Sequence, residues 1–492
     1  MTIAATRSGK VEGLERDGTL VFRGIPFAAP PVGPLRFLPP LRESAWDGVR
    51  DATRFGPESA QADTPIARML GSNAAHSSED SLYLNVWTPA CDDAARPVMV
   101  WIHGGAYVFG SGAVPWYDGT RFVKHGDVVV VTVNYRLGPF GFLHLADQFG
   151  TDFAGSGNAG VLDQIAALEW VRDCIAAFGG NPNDVTVFGE SAGANSVATM
   201  LAMPAARGLF RNAIAQSAAG AWVSTRERGA KVARRTIERL GIGATDLDAL
   251  RAVPKERLLA ANPDLTDEAE EGIAGLPWQP VIDGSALSEL PRDAVAAGSA
   301  AGVHLLTGTN EHEMTLFQIL DPSLTDLDDA GMAQRLRPWA ADPEGLLRAY
   351  RAASPDATPQ QIWLALTTDG VFRVPAIHLA EAQLAHGPAW MYRFTWETPA
   401  FGGALRSTHA LEIPFVFDNL DRNTEGVTGS GPERQGIADT MHRAWIAFAR
   451  TGNPGWPAYD KTRRTTMRFD AKVDVDDDPQ STQRRAWEPT SA

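Results

Sequence analysis

The sequence predicts an α/β protein with one large, mostly parallel central sheet flanked by helices. Two short runs, 98–102 and 128–133, are rich in β-branched residues and almost continuously apolar, which is typical of strands buried on both faces of a sheet. Segment 159–177 has the apolar spacing of a helix, and 185–188 is another buried run. Because strands and helices alternate along the chain, an α/β architecture is expected.

Further strands are predicted at 213–215, 303–306 and 390–394. Two stretches, at about 225–291 and 321–386, are helical in pattern, charged and irregular, and we interpret them as helical insertions that cover the sheet. No linker or internal repeat divides the chain. We therefore predict a single domain over residues 1–492 that carries these insertions.

The bulk composition excludes several classes of partner. The net charge of −15 would repel nucleic acid and an anionic membrane surface, and no run of about 18 uncharged apolar residues predicts a transmembrane helix. The sequence has two cysteines, Cys91 and Cys174, and no signal peptide is visible, so a reduced, cytoplasmic protein is expected. A monomer and a small homo-oligomer both fit this composition.

Residues 189–193 form a G-x-S-x-G motif around Ser191. A buried strand precedes the motif and a helix of small residues follows it, which is the setting of a nucleophile elbow. Glycines at 189 and 193 would relieve crowding around a serine in a strained turn. The alternative is a glycine-rich turn that contains an incidental serine, and the flanking segments favour the elbow.

Residues 101–107, W-I-H-G-G-A-Y, follow directly on a predicted strand. Glycines in such a loop let backbone N–H groups face a ligand without obstruction by a Cβ atom. Together with the N–H of Ala192, two of these donors could bind the oxyanion of a tetrahedral intermediate. An ordinary tight turn after a strand is the alternative interpretation.

Together these features resemble the type-B carboxylesterase family, which includes bacterial para-nitrobenzyl esterases and the cholinesterases. The similarity extends over nearly the whole chain, through segments 22–28, 30–37, 78–86, 134–138, 157–164 and 178–182. It implies an α/β-hydrolase fold with helical insertions over the active site. It also implies that the oxyanion donors are the N–H groups of Gly105, Ala106 and Ala192.

A serine needs a base to take its proton and an acid to orient that base, and in this fold the chain order is serine, acid, histidine. The composition alone cannot choose among ten histidines. The resemblance places the base at His409, in the loop 408–415, and the acid at Glu313, in the loop 308–314. Glu311 is the nearest competitor for the acid.

The same resemblance assigns supporting roles to several other residues. Glu412 is interpreted as a structural partner of the histidine loop, and Ser217 as a hydroxyl near the triad, although a structurally neutral buried serine is a close alternative. Two ion pairs of the family would join Arg36 with Glu79 and Arg136 with Asp163, and these stabilise the fold without taking part in chemistry.

The resulting prediction is a carboxylic-ester hydrolase that cleaves small to medium esters through an acyl-enzyme on Ser191. An amidase, a carbamate hydrolase or a thioesterase would use the same triad and is one alternative. A non-catalytic binding protein on the same scaffold is the other. No cofactor is expected, because the G-x-G-x-x-G at 155–160 does not follow a buried strand. No metal is expected, because His312 lacks the second histidine of a zinc helix.

Overall fold

The computed structural model of the chain describes residues 2–72, 74–262, 276–320, 327–337 and 339–488, without the side chains of residues 319 and 320. The strands of these residues are β1 (Thr2–Ala5), β2 (Lys10–Arg16), β3 (Thr19–Pro26), β4 (Val49–Asp51), β5 (Glu58–Ser59), β6 (Ser77–Ser78), β7 (Tyr83–Thr88), β8 (Arg96–Ile102), β9 (Val129–Val133), β10 (Gly180–Glu190), β11 (Asn212–Gln216), β12 (Ser224–Thr225), β13 (Val281–Ile282), β14 (His304–Asn310), β15 (Ala389–Phe394), β16 (Thr465–Phe469) and β17 (Asp474–Asp477).

Among the described residues, thirteen strands form one sheet with the order β1-β2-β3-β7-β9-β8-β10-β11-β14-β15-β16-β17, and β4 pairs with β2. The strands from β9 to β16 run parallel, with Val187 of β10 opposite Val100 of β8 and Ala213 of β11. Antiparallel strands extend the sheet at both edges. The predicted strands at 98–102, 128–133, 185–188, 213–215, 303–306 and 390–394 are confirmed in this central part.

The α-helices of the described residues are α1 (Pro65–Met69), α2 (Thr120–Gly126), α3 (Gly138–Phe142), α4 (Ala146–Phe149), α5 (Ala159–Cys174), α6 (Ala192–Ala202), α7 (Arg226–Leu240), α8 (Leu247–Arg251), α9 (Lys255–Leu259), α10 (Pro291–Ala296), α11 (Asp329–Leu336), α12 (Pro343–Ala353), α13 (Pro359–Thr368), α14 (Val374–Gln383), α15 (Ile413–Val416), α16 (Glu425–Thr428), α17 (Arg434–Thr451) and α18 (Ser481–Ala486). None of them has the length and apolar content that crossing a bilayer requires.

The central strands are largely apolar where both faces of the sheet are covered. On β8, Val98 and Val100 belong to the core on one face, while Met99 and Trp101 belong to the core on the other. The predicted helix at 159–177 ends as an α-helix at Cys174 and continues as a 3₁₀ turn. The G-x-G-x-x-G segment is a short 3₁₀ turn and the start of α5, as expected.

The two predicted insertions differ in how they pack. Helices α11, α12 and α13 share a separate apolar cluster, whereas α14 packs directly on β14 and β15 and so belongs to the helical layer of the sheet. Parts of both stretches, 263–275, 321–326 and 338, lie outside the described residues. Their assignment as insertions into one domain stays a prediction.

Both predicted ion pairs are present. The Arg136 guanidinium makes two hydrogen bonds to Asp163, of 2.7 and 2.8 Å, and both side chains are buried. Arg36 Nε donates to Glu79 at 2.7 Å, while Arg36 Nη1 donates to the carbonyl of Val253 at 2.7 Å. The second pair therefore connects the N-terminal segment to the region after α8.

Candidate active site

Ser191 lies at the sharp turn between β10 and α6, where its backbone has φ 56° and ψ −123°. A Cβ atom on Gly189 would lie 2.7 Å from the carbonyl oxygen of Ile102, and one on Gly193 would lie 2.1 Å from the same atom. Neither position can hold a larger residue without moving β8. The two glycines therefore allow the strained serine conformation that the motif predicts.

The loop after β8 lies beside Ser191. Gly105 has φ 109° and Ala106 has φ 53°, and a Cβ atom on Gly105 would lie 2.0 Å from the carbonyl oxygen of Phe109. In the described part of the chain, the N–H groups of Gly105, Ala106 and Ala192 have no protein acceptor. Gly105 and Ala106 line the cavity beside Ser191, and Ala192 follows the serine at the start of α6.

Buried polar contacts hold this loop in place. Asn195 of α6 donates through Nδ2 to the Tyr107 hydroxyl at 2.9 Å, and the Tyr135 hydroxyl donates to the carbonyl of His103 at 2.8 Å. Burial lowers the pKa of His103 to about 4, so its ring is neutral at pH 7. The loop is thus fixed by uncharged groups that do not compete for an anion.

Glu313 and His409 are in direct contact. His409 Nδ1 lies 2.7 Å from Glu313 Oε2, and the other oxygen of Glu313 accepts a 2.7 Å hydrogen bond from the N–H of Asn310. Both side chains are buried. The carboxylate is therefore held by two contacts, and it fixes the orientation of the imidazole ring with the proton on Nδ1.

The other nitrogen of His409 faces a carboxylate that the sequence interpretation did not include. His409 Nε2 lies 3.1 Å from Oε1 of Glu190, the residue before the serine. Among the described residues, no hydrogen bond joins Ser191 Oγ to His409, although both side chains line one cavity. Burial disfavours the imidazolium ion, but Glu190 and Glu313 outweigh it and raise the pKa of His409 to about 9.

The two remaining acidic residues near the triad face other partners. Glu311 forms an ion pair with Arg393 at 2.9 Å and is partly exposed. Glu412 is fully buried and accepts hydrogen bonds from the Gln216 and Asn310 side chains, at 3.0 and 2.7 Å. Burial raises the pKa of Glu412 to about 7. Neither carboxylate takes the position of Glu313 beside the imidazole.

Ser217 follows β11 directly and is fully buried, with φ 56°. Its N–H donates to the carbonyl of Gly308 at 2.9 Å, which links β11 to the strand that precedes Glu313. In the described structure its hydroxyl has no hydrogen-bond partner. Its predicted role near the triad therefore rests on its position alone.

A cavity of about 300 Å³ opens above Ser191 and His409. Apart from Glu190 and the catalytic candidates, its walls are apolar, and they are formed by Ile66, Leu70, Phe109, Trp222, Leu276, Met314, Leu316, Phe317, Val371, Phe372 and Ala410. Such a site has the properties of a pocket for an uncharged apolar ligand.

Comparison with known proteins identifies the family. A protein-family model with the description "Carboxylesterase family" matches residues 1–487 of the chain. This chain belongs to the carboxylesterase family.

Relatives and solved structures agree with this assignment. The chain is 42% identical to the para-nitrobenzyl esterase of Bacillus subtilis, over 99% of each protein, and 36% identical to phenmedipham hydrolase of Pseudarthrobacter oxydans, over 93% and 92%. A carboxylesterase from Geobacillus stearothermophilus superimposes with a TM-score of 0.91 at 44% identity, over 99% of this chain and 100% of that one. The predicted family resemblance and the predicted α/β-hydrolase fold are confirmed. The chain is therefore an enzyme of a serine hydrolase family.

Several pocket residues of this carboxylesterase were not predicted from the sequence. Glu190 has a local signal, because it is the acidic residue within the G-x-S-x-G motif. Trp222, Phe317 and Phe372 come from separate segments and give no periodic signal. The helical stretches predicted to lie over the active site contribute Leu276, Val371 and Phe372 to the cavity wall. Trp222 and Phe317 lie just outside these stretches.

Proposed function

We propose that the chain hydrolyses small to medium, uncharged carboxylic esters through a covalent acyl-enzyme on Ser191. The observation that carries the proposal is the 2.7 Å contact between His409 and Glu313 beside the cavity into which the nucleophile elbow opens. An imidazole oriented by a buried carboxylate is the base that a serine nucleophile requires.

In the proposed first half-reaction, His409 Nε2 takes the hydroxyl proton of Ser191 while Oγ attacks the ester carbonyl carbon. The Ser191 hydroxyl must come within hydrogen-bond distance of Nε2, and catalytic hydrogen bonds of this kind often tighten only when substrate is bound. Glu313 stabilises the imidazolium ion. The tetrahedral oxyanion accepts hydrogen bonds from the N–H groups of Gly105, Ala106 and Ala192.

Collapse of this intermediate breaks the bond to the alcohol, which leaves with the proton from His409. Water then enters, His409 takes one of its protons, and the hydroxide oxygen attacks the acyl carbon. The second collapse releases the acid and returns the proton to Ser191. The apolar walls around Phe317 and Phe372 support a substrate without charge, since an unpaired ion would lose its hydration there.

The test is a set of single variants assayed with p-nitrophenyl esters of increasing acyl length. Ser191→Ala and His409→Ala should each lower kcat by at least about 10⁴-fold, and Glu313→Gln by about 10⁴-fold. Glu311→Gln is the matched control, because it removes a neighbouring carboxylate that does not contact the imidazole. A fluorophosphonate should label the peptide that contains Ser191. Esterase turnover that survives Ser191→Ala would falsify the proposal.

Two further expectations stay predictions. Cytoplasmic location rests on the low cysteine content, and Cys91 and Cys174 are both free thiols in the structure. A monomer or a small homo-oligomer is the second of these predictions.

A further inference from the structure

The helix that contains Phe372 is interrupted by a wide turn. Helices α13 and α14 are joined by a π-helical turn over Asp369–Arg373. Pro375 follows this turn, and in a regular α-helix its ring would crowd the carbonyl of Val371, four residues earlier. A π turn relieves this contact, and such turns are frequent at functional sites.

One face of the π turn forms part of the cavity wall. The ring of Phe372 lies 4.9 Å from that of His409 and packs edge-on against Trp222 at 5.4 Å. It is also stacked with Phe317 at 6.5 Å. Phe372 is 1% exposed. Its ring therefore forms the apolar wall of the cavity next to the imidazole.

A buried polar network holds the opposite face. Arg373 makes two hydrogen bonds to Asp369, at 2.6 and 2.7 Å, and the Tyr350 hydroxyl donates to the same carboxylate. Trp487 Nε1 donates to the Tyr350 hydroxyl at 2.9 Å, and Arg373 Nη1 donates to the carbonyl of Pro479 at 3.2 Å. The turn is thus fixed to α12 and to the C-terminal segment.

Stability alone does not explain this network. A buried ion pair gives little net stabilisation relative to apolar side chains of the same volume, because both charges lose their hydration. It does impose one geometry, since a bidentate Arg–Asp contact tolerates little displacement. The sequence between the pair is Gly370-Val371-Phe372, so any change in the turn moves the two residues that face the cavity.

We propose that Asp369 and Arg373, supported by Tyr350, are positioning residues that hold Phe372 beside His409, where its ring packs against the apolar group of the bound ester. The proposal rests on the function proposed above. None of the three residues contacts the reacting atoms. Their effect passes through the ring of Phe372.

The experiment compares Asp369→Asn, Phe372→Ala and the double variant on p-nitrophenyl acetate, butyrate and hexanoate, with rates normalised to the sites that a fluorophosphonate labels. Each single variant should lower kcat/KM for the longer esters by about tenfold, mainly through a higher KM, because contacts with an apolar group are lost. The double variant should show no further loss, because both changes remove the same contact. Losses that multiply in the double variant would show that Asp369 acts elsewhere, and this outcome overturns the proposal.

Two additional variants separate positioning from folding. Tyr350→Phe removes one hydrogen bond to Asp369 and keeps the ion pair, so it should reproduce the KM change in weaker form even if Asp369→Asn yields no folded protein. Asp163→Asn breaks another buried bidentate pair and should leave the normalised KM values unchanged. An unchanged KM in Tyr350→Phe and Asp369→Asn, or an equal rise in Asp163→Asn, refutes the positioning role. If Ser191 of the unmodified protein is labelled and KM does not change in these variants, the positioning role fails and the proposed function stands. If Ser191 of the unmodified protein is not labelled, the proposed function itself is refuted.

Discussion

Replacing Glu190 with glutamine should move the pH–activity profile of the enzyme toward lower pH. His409, the proposed base, can accept a proton only in its neutral form, and the Glu190 carboxylate, 3.1 Å from Nε2, favours the protonated form. Because the pKa of His409 is raised to about 9, the neutral fraction is small at pH 7 and grows as the pH rises. Removing the charge of Glu190 lowers this pKa, so the rising limb of the profile appears earlier.

The size of the shift follows from the geometry. Two unit charges about 4 Å apart attract each other by about 4 kcal/mol at an effective dielectric constant of about 20, which corresponds to about 3 pKa units. Burial raises the pKa of Glu190 itself to about 8, so its carboxyl group is only partly ionised near neutral pH. We therefore expect the apparent pKa of kcat/KM to fall by about 1 to 2 units in Glu190→Gln.

The assay is kcat/KM for a p-nitrophenyl ester between pH 5 and 10 at constant ionic strength, corrected for spontaneous hydrolysis. Glu311→Gln is the control, because Glu311 pairs with Arg393 and does not face the imidazole. Its profile should coincide with that of the unmodified enzyme. A Glu190→Gln profile that does not move, or that moves toward higher pH, contradicts the electrostatic reasoning.

Three other substitutions and one control test the packing of the fold. Gly193→Ala places a methyl group 2.1 Å from a carbonyl oxygen of β8 and should abolish activity or soluble expression. Gly436→Ala in α17 is the control, because no described atom outside that helix lies within 4 Å of its Cβ position. It should raise the unfolding free energy by up to about 1 kcal/mol in urea titrations. Asp163→Asn leaves the buried Arg136 unpaired and should lower the unfolding free energy by about 3–5 kcal/mol, measured in the same way. Ser217→Ala removes a hydroxyl without a partner, so urea titration should show no loss of stability beyond about 0.5 kcal/mol.

Local sequence predicts those parts of the site whose geometry depends on an unusual backbone conformation. The elbow at Ser191 and the loop at Gly105 each require glycines at fixed positions beside a buried strand, and these requirements are visible within a few residues. The pairing of Glu313 with His409 joins loops 96 residues apart. The family resemblance supplied this pair, because spacing and composition contain no information on it.

Other features were not predicted because they arise from contacts between distant segments. The contact between His409 Nε2 and Glu190 depends on how the loop that contains His409 packs against the turn at Ser191. The π turn had one local signal, Pro375 within a helical pattern, but its connection to Tyr350 depends on tertiary packing. The antiparallel edge strands, such as β1 and β17, are short and partly polar, so their pattern is weak.

The order of the strands has a consequence for synthesis on the ribosome. The proposed nucleophile is Ser191, but its proposed base is His409, and strand β16 (Thr465–Phe469), which pairs with β15, is translated later still. In a nascent chain the turn at Ser191 is therefore complete while the sheet is not. The strand at the edge of this incomplete sheet has backbone N–H and C=O groups without hydrogen-bond partners. Hydrolytic competence can arise only after nearly the whole polypeptide has emerged, and a product truncated before β16 would leave the edge of β15 open to association with other chains.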